Sequence, residues 1–295
     1  MNISPALLSL FLLTPACVSA QKAALPALDV LKFSAAGFSL PERADIPSPL
    51  AAGQGDRTPE GLQGETLFDY LHDATAPSSA KSIISYKQAK SFMYSTADNT
   101  GCNGKPGIIT LYSKVCINGT GGDGNSYRER GDQDGDGVSG DFVNAEHIWP
   151  QSYFNSALPM VADLHQLGST LSVPNGRRGN LRFAEVSAPV YSTSAGSKLG
   201  REGFEPDDGD KGDVARAMLY FVVRYYDRSI RTGMDYASFW TRNVPMLLKW
   251  NRQDPPDAAE RRRNDAIAGF QGNRNPFVDD PSLADRIGEA VFEAH

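Results

Sequence analysis

Between Asn118 and Gly140 the chain is almost entirely Gly, Asp, Asn and Ser, without helical or strand periodicity. Glycine gives up the most backbone freedom on ordering, and Asp, Asn and Ser favour local side-chain to backbone hydrogen bonds, so this stretch must be loop. The 28 glycines and 19 prolines show no triplet period, which excludes a collagen-like fibre, and they are too many for a coiled coil. With 40% hydrophobic residues over 295 positions the chain can bury a sizeable core. It reads as a loop-rich globular protein.

Ahead of the loop, apolar spacing predicts helices over 65–72 and 85–93, and IITLY at 108–112 predicts a strand. Beyond it, Val214, Met218, Phe221, Val222 and Tyr225 fall on one face of a helix predicted over 210–229, with Asp213 suiting its positive end. Further helices are predicted over 236–250, 256–270 and 282–294, each announced by a Pro, Asp or Ser. A short β-region among helices makes an α+β fold, mostly helical, in a single domain.

Residues 1–20 hold an apolar run from Ala6 to Leu13 and end in Val18-Ser19-Ala20, the pattern of a cleaved secretory signal peptide. Residues 21–60, rich in Ala, Pro, Ser and Gly, read as an extended N-terminal lead, leaving 61–295 for the domain. No later segment approaches the roughly 20 apolar residues of a membrane span, so the expected mature protein is secreted or periplasmic, with no membrane contact. Leader removal takes Cys17 with it and leaves Cys102 and Cys116, expected to pair as a disulfide. Two unlinked buried thiols are the alternative.

A net charge of −6 excludes a protein coated in positive charge for nucleic acid. It leaves room for a local patch, and Arg177, Arg178 and Arg182 fall in a stretch with no acidic residue. Only four histidines occur, and no His-Glu-x-x-His helix, Gly-x-Ser-x-Gly elbow, phosphate loop or dinucleotide fingerprint is present. What remains is a predicted strand, Asn144 to Trp149, ended by Pro150 and carrying Glu146 beside His147. A carboxylate next to an imidazole offers a hard oxygen ligand and a proton acceptor. Both can serve one site only if the backbone bends there, because neighbouring side chains on a regular strand leave opposite faces. A plain core or surface Glu-His pair is the bland reading. Downstream, Ser172 is expected to cap a short helix with Pro174 in its first turn, which would project Asn175, a legitimate Mg²⁺ ligand, beside basic side chains. An Asn-Gly turn is the alternative.

Six segments in order resemble the endonuclease I family of bacterial secreted and periplasmic nucleases, part of the His-Me finger, or ββα-metal, superfamily. They are AEHIWPQSYF at 145–154, DLHQL at 163–167, NGRRGN at 175–180, FEPDDGDKGDVARAMLYFVVRY at 204–225, LLKWNRQDPPDAAERRRN at 247–264 and QGNRNPFVDDP at 271–281. The resemblance implies a ββα-metal motif inserted in the helical domain. It implies a metal-dependent, sugar-nonspecific endonuclease acting on DNA and RNA, with His147 as general base. A divalent ion, Mg²⁺, would be held by Glu146 and Asn175, and Arg178, with Arg177, would contact phosphate. A preference for RNA is the close alternative; a decayed, calcium-stabilised secreted binding protein is the one from another class. The chain departs from the family at Asn251 and Asp280, where members often carry His.

Asp132, Asp134 and Asp136 open like an EF-hand loop, but the twelfth position is Val143 and no Glu closes it, so a Ca²⁺ site competes with a plain acidic turn. His165 is expected to be a core histidine, and Arg261, Arg262 and Arg263 a solvated helix face.

Overall fold

A computed structural model of the chain describes residues 59–76, 83–137 and 139–295. The expected leader, and all but the last two residues of the expected lead, lie outside them. The described residues belong to one compact unit and form an α+β fold.

Its centre is a long helix. The apolar spacing in 210–229 predicts one buried face; α4, which spans Lys211–Tyr225, instead buries every residue but Lys211 and Asp213. To reach it, α1 (Gly64–Thr75) and α2 (Tyr86–Phe92) come first in the chain, α2 opening with a capping box between Ser85 and Gln88. After α4 come α5 (Tyr236–Phe239), α6 (Val244–Gln253), α7 (Ala258–Gln271), α8 (Pro276–Asp279), α9 (Ser282–Ile287) and α10 (Glu289–Ala294). α6, α1 and α8 pack on α4 from different sides, which is why one amphipathic stripe would not suffice. Two expected helices are each broken in two. Pro245 starts a new helix at α6, having no N–H to continue the previous one, and Gly288, at φ 86°, separates α9 from α10.

The strands form three small antiparallel sheets. β1 (Gly107–Ile109) pairs with β2 (Cys116–Asn118); β3 (Val143–His147) pairs with β4 (Leu167–Leu171); β5 (Tyr191–Ser192), β6 (Lys198–Leu199) and β7 (Phe204–Glu205) make the third. The strand expected over 108–112 stops at Ile109. From there the chain crosses to β4, where Leu111 N–H donates to the Ser169 carbonyl, and turns at Tyr112 with φ 71°. That turn puts Tyr112 N–H on Asp210 Oδ2 at 2.7 Å and the fully buried ring against Phe204. α3 (Ser172–Arg178) follows β4 without a break, so β3, β4 and α3 make one strand–strand–helix unit.

Cys102 and Cys116 are bonded, with Cα atoms 5.9 Å apart, and the link fastens the turn before β1 to the first residue of β2. Closing a ring of this length in the unfolded chain contributes about 3 kcal/mol in the chain-entropy picture. Replacing both cysteines with Ser should therefore lower the melting temperature by roughly 6 to 12 °C. Equal melting temperatures for the two proteins would show that the link is not needed to hold the hairpin.

Candidate active site

β3 carries Asn144, Glu146 and His147, and its ladder with β4 is unbroken through Glu146 opposite Gly168 and His147 opposite Leu167. Ile148 N–H extends it to the Gln166 carbonyl at 2.9 Å. The bend that the sequence asked for is absent. Glu146 and His147 accordingly have different neighbours; among the described residues β4 is the only strand paired with β3, and side chains meet its other edge, Gln133 Oε1 on the Val143 N–H, Asn175 Nδ2 on the Ala145 carbonyl and Arg178 on the His147 carbonyl.

Glu146 is 2% exposed. Its Oε1 accepts the Tyr112 hydroxyl at 2.8 Å and lies 3.1 Å from Arg178 Nη1. Burial raises the carboxyl pKa, against the pull of Arg178, the Tyr112 hydroxyl and the His147 backbone N–H. A carboxylate has about four acceptor sites, so these donors do not exhaust it.

Asn175 sits in the first turns of α3. Its Nδ2 donates to Asn144 Oδ1 and, at 3.3 Å, to the Ala145 carbonyl. An amide whose nitrogen is spent on two acceptors presents its oxygen elsewhere. Asn144 and Glu146 share a strand face, so contact with the Asn144 side chain places Asn175 on the face that carries Glu146. A carboxylate and an amide oxygen are hard donors that fit a small divalent cation completed by water and phosphate oxygens. Ser172 does not cap α3. It is the first helical residue; its Oγ donates to the Gly140 carbonyl and accepts from Phe142 N–H, while Asp141 Oδ1 takes the Val173 N–H.

His147 lies on the other side, against the rings of Tyr86 and Phe154. Its Nε2 is 3.1 Å from the Val161 carbonyl. A carbonyl can only accept, so Nε2 carries the hydrogen and Nδ1 keeps a lone pair. Burial, reinforced by Arg178 and Lys90, pulls the imidazole pKa down to about 4 against the Val161 hydrogen bond, leaving the ring neutral at neutral pH.

The turn that presents the Val161 carbonyl is held from two sides. Gln166 Nε2 donates to the Met160 carbonyl at 2.7 Å and its Oε1 accepts the Trp149 N–H, bridging the turn back to β3. Two residues beyond Val161, the buried Asp163 accepts from Tyr220, Arg224 and Tyr225 of α4 at Oδ2 and from His165 N–H and Gln271 Nε2 at Oδ1. Burial pushes the Asp163 pKa up, but Arg224, with His165, Gln271 and Tyr225, outweighs it and holds the group below the usual range. Arg263 spans the Leu164 and Leu167 carbonyls and Asp98. It is therefore no part of a solvated face, unlike the exposed Arg262.

Arg178 departs from the expectation of a phosphate contact. It is 1% exposed, and beyond Glu146 its guanidinium donates to the His147 and Ile148 carbonyls at 2.9 and 2.6 Å. It is a strut for the end of β3. Arg177, exposed and stacked 5.4 Å over Tyr191, faces solvent. His165 is a core residue, its Nε2 on the Asn273 carbonyl at 2.9 Å. The Asp132, Asp134 and Asp136 carboxylates approach within 4.8 Å, but those of Asp132 and Asp134 accept backbone N–H groups of their own turn, and Val143 belongs to buried β3. Asn251 is buried against Pro281 and Arg216, and Asp280 receives the Ser282 N–H, so both departures from the family do structural work. Sequence reasoning missed Tyr112 and the Val161 carbonyl: one depends on a left-handed turn, the other on a main-chain atom that every residue has.

The family profile described as Endonuclease I matches residues 70–282. The extracellular ribonuclease of Bacillus amyloliquefaciens is 38% identical over 162 residues, 51% of this chain and 55% of its own length. The Bacillus subtilis extracellular ribonuclease is 31% identical over 239 residues, 77% of this chain and 76% of its own. An extracellular deoxyribonuclease of Aeromonas hydrophila is 30% identical over 124 residues, 41% of this chain and half of its own.

Arg178→Met separates the two roles of that residue. A buried strut leaves Glu146 an unpaired buried charge when lost, a cost of about 3–5 kcal/mol in urea unfolding; unchanged stability would return Arg178 to the phosphate. His165, with its pKa lowered by burial to about 4, stays neutral in the fold while the unfolded chain takes up a proton near pH 6.5. Its contribution is complete above that pH and lost as pH falls towards 4, by about 1.4 kcal/mol per unit. The stability of His165→Asn should fall less steeply over that window, and parallel curves would refute the assignment.

Proposed function

The chain belongs to the endonuclease I family, and we propose that it is a metal-dependent, sugar-nonspecific endonuclease that hydrolyses phosphodiester bonds in DNA and RNA. The observation that carries the reading is the hydrogen bond from His147 Nε2 to the Val161 carbonyl. It fixes the tautomer in which Nδ1 can take a proton, on a ring kept neutral by burial.

In this reading Nδ1 of His147 receives the proton of a water whose oxygen attacks phosphorus, and the bond from phosphorus to a sugar oxygen breaks, that oxygen leaving with the bonding pair and taking a proton from solvent water to become a hydroxyl. Glu146 and Asn175 would hold a divalent ion, Mg²⁺ by preference for hard oxygen donors. When bound, such an ion offsets charge on the non-bridging phosphate oxygens. Arg178 and Tyr112 keep the Glu146 carboxylate in place, and Arg177 is the cation of the pair left to meet phosphate. The β3–β4–α3 unit is, on this proposal, the ββα-metal motif.

Two relatives are named ribonucleases, which supports RNA as the preferred substrate as a second reading. Export fits the leader over 1–20 and relatives named extracellular or periplasmic; among the described residues no helix is long and apolar enough to cross a membrane.

Purified protein incubated with plasmid and with RNA should cleave both and stop when a chelator removes the metal. His147→Ala should cost about 10² to 10⁴ in rate while Mg²⁺ and nucleic-acid binding persist. Glu146→Gln and Asn175→Ala should instead move the Mg²⁺ titration to higher concentration. Cleavage by His147→Ala within threefold of the wild type would sink the general-base assignment.

A further inference from the structure

A protein of net charge −6 that acts on a polyanion needs a local track of cations, and with Arg178 buried the sequence-level candidate for it is reduced. Other cations lie on α2, beside the ring that packs on His147, and on the Gly/Asp-rich loop that is tied to α2. Tyr86 of α2 lies 5.3 Å from the His147 ring, centroid to centroid, and Lys90, one turn on, places Nζ 5.1 Å from the Tyr86 ring. Glu129 from the loop accepts Lys90 Nζ at 3.0 and 3.1 Å and the Tyr94 hydroxyl at 2.8 Å.

On either side of Glu129 stand Arg128 and Arg130, both exposed, with no carboxylate partner among the described residues. Their backbone is held rather than loose. Gln133 Nε2 donates to the Arg128 and Arg130 carbonyls at 2.6 and 3.1 Å, and Gln133 Oε1 accepts the N–H of Val143, the first residue of β3. The turn is thus fastened to α2 by a carboxylate and to the catalytic strand by an amide. A held backbone leaves the two Arg side chains less ordering entropy to lose on meeting a ligand.

We propose that Lys90, Arg128 and Arg130 form a phosphate track that carries the nucleic-acid backbone past His147, with Glu129 as a counter-charge that weakens it. The proposal rests on the nuclease reading above and adds where the strand runs. Contacts to phosphate and none to bases suit a substrate read without sequence.

Binding of labelled duplex and of a single strand to the full chain carrying His147→Ala, measured by anisotropy over a range of salt, tests it. Adding Arg128→Ala and Arg130→Ala should weaken binding and reduce the slope of log K on log salt by roughly 1.8 for duplex and roughly 1.4 for the single strand. Glu129→Gln should tighten binding, an outcome that misfolding cannot mimic. A parent that binds nucleic acid while the double variant keeps its slope, or Glu129→Gln fails to tighten, overturns the track alone. A parent that binds neither polymer overturns it together with the nuclease reading.

Discussion

Asp163 is the charge on which the geometry of this site depends. A carboxylate buried to 2% exposure is tolerable only when its lone pairs are filled, and here α4 fills one oxygen and the loop and α7 fill the other. The consequence is local rigidity two residues away, where the Val161 carbonyl meets His147. An imidazole has two tautomers of similar energy, and the choice between them is made by the acceptor that the ring meets. The helical core and the small β3–β4 sheet are therefore not separate achievements of the sequence. The core supplies the charge partners, the partners hold the turn, and the turn orients the ring.

The other half of the site follows a similar logic with a different residue. Arg178 takes the Glu146 carboxylate, the last carbonyl of β3 and the carbonyl after it, so one guanidinium both neutralises the buried acid and closes the strand end. Arginine suits this because its five donors are fixed in a plane and it does not lose its proton. The same burial removes it from solvent, and phosphate contact then falls to cations at the rim.

Much of the architecture was legible because it rests on local chemistry. The Gly/Asp-rich loop, the helices at 65–72, 85–93 and 256–270, and the strand at 144–149 follow from spacing and caps, and the structure holds elements there. The disulfide followed from counting cysteines once the leader was set aside, and Cys102 and Cys116 are bonded. Elements were misjudged where tertiary contacts override spacing. α4 is buried all round because α1, α6 and α8 surround it, and the strand after Ile108 is cut short because Tyr112 turns in to meet Asp210 and Glu146. At the candidate site, Glu146, His147 and Asn175 stood out only as a pattern of residue types. The depth of Arg178 was not, since a run of basic residues looks the same whether it is solvated or drawn inward by a buried acid.

The partners of Asp163 lie far along the chain: Tyr220, Arg224 and Tyr225 on α4, and Gln271 at the end of α7. A ribosome that has delivered β3, β4 and α3 has made Glu146, His147 and Asn175, yet none of these partners. Until Gln271 has emerged, the turn that selects the His147 tautomer lacks the anchor that α7 adds to those of α4. On the proposed reading, catalytic competence is thereby deferred to nearly the last step of synthesis, and a truncated product carries the candidate site residues without the frame that aligns them.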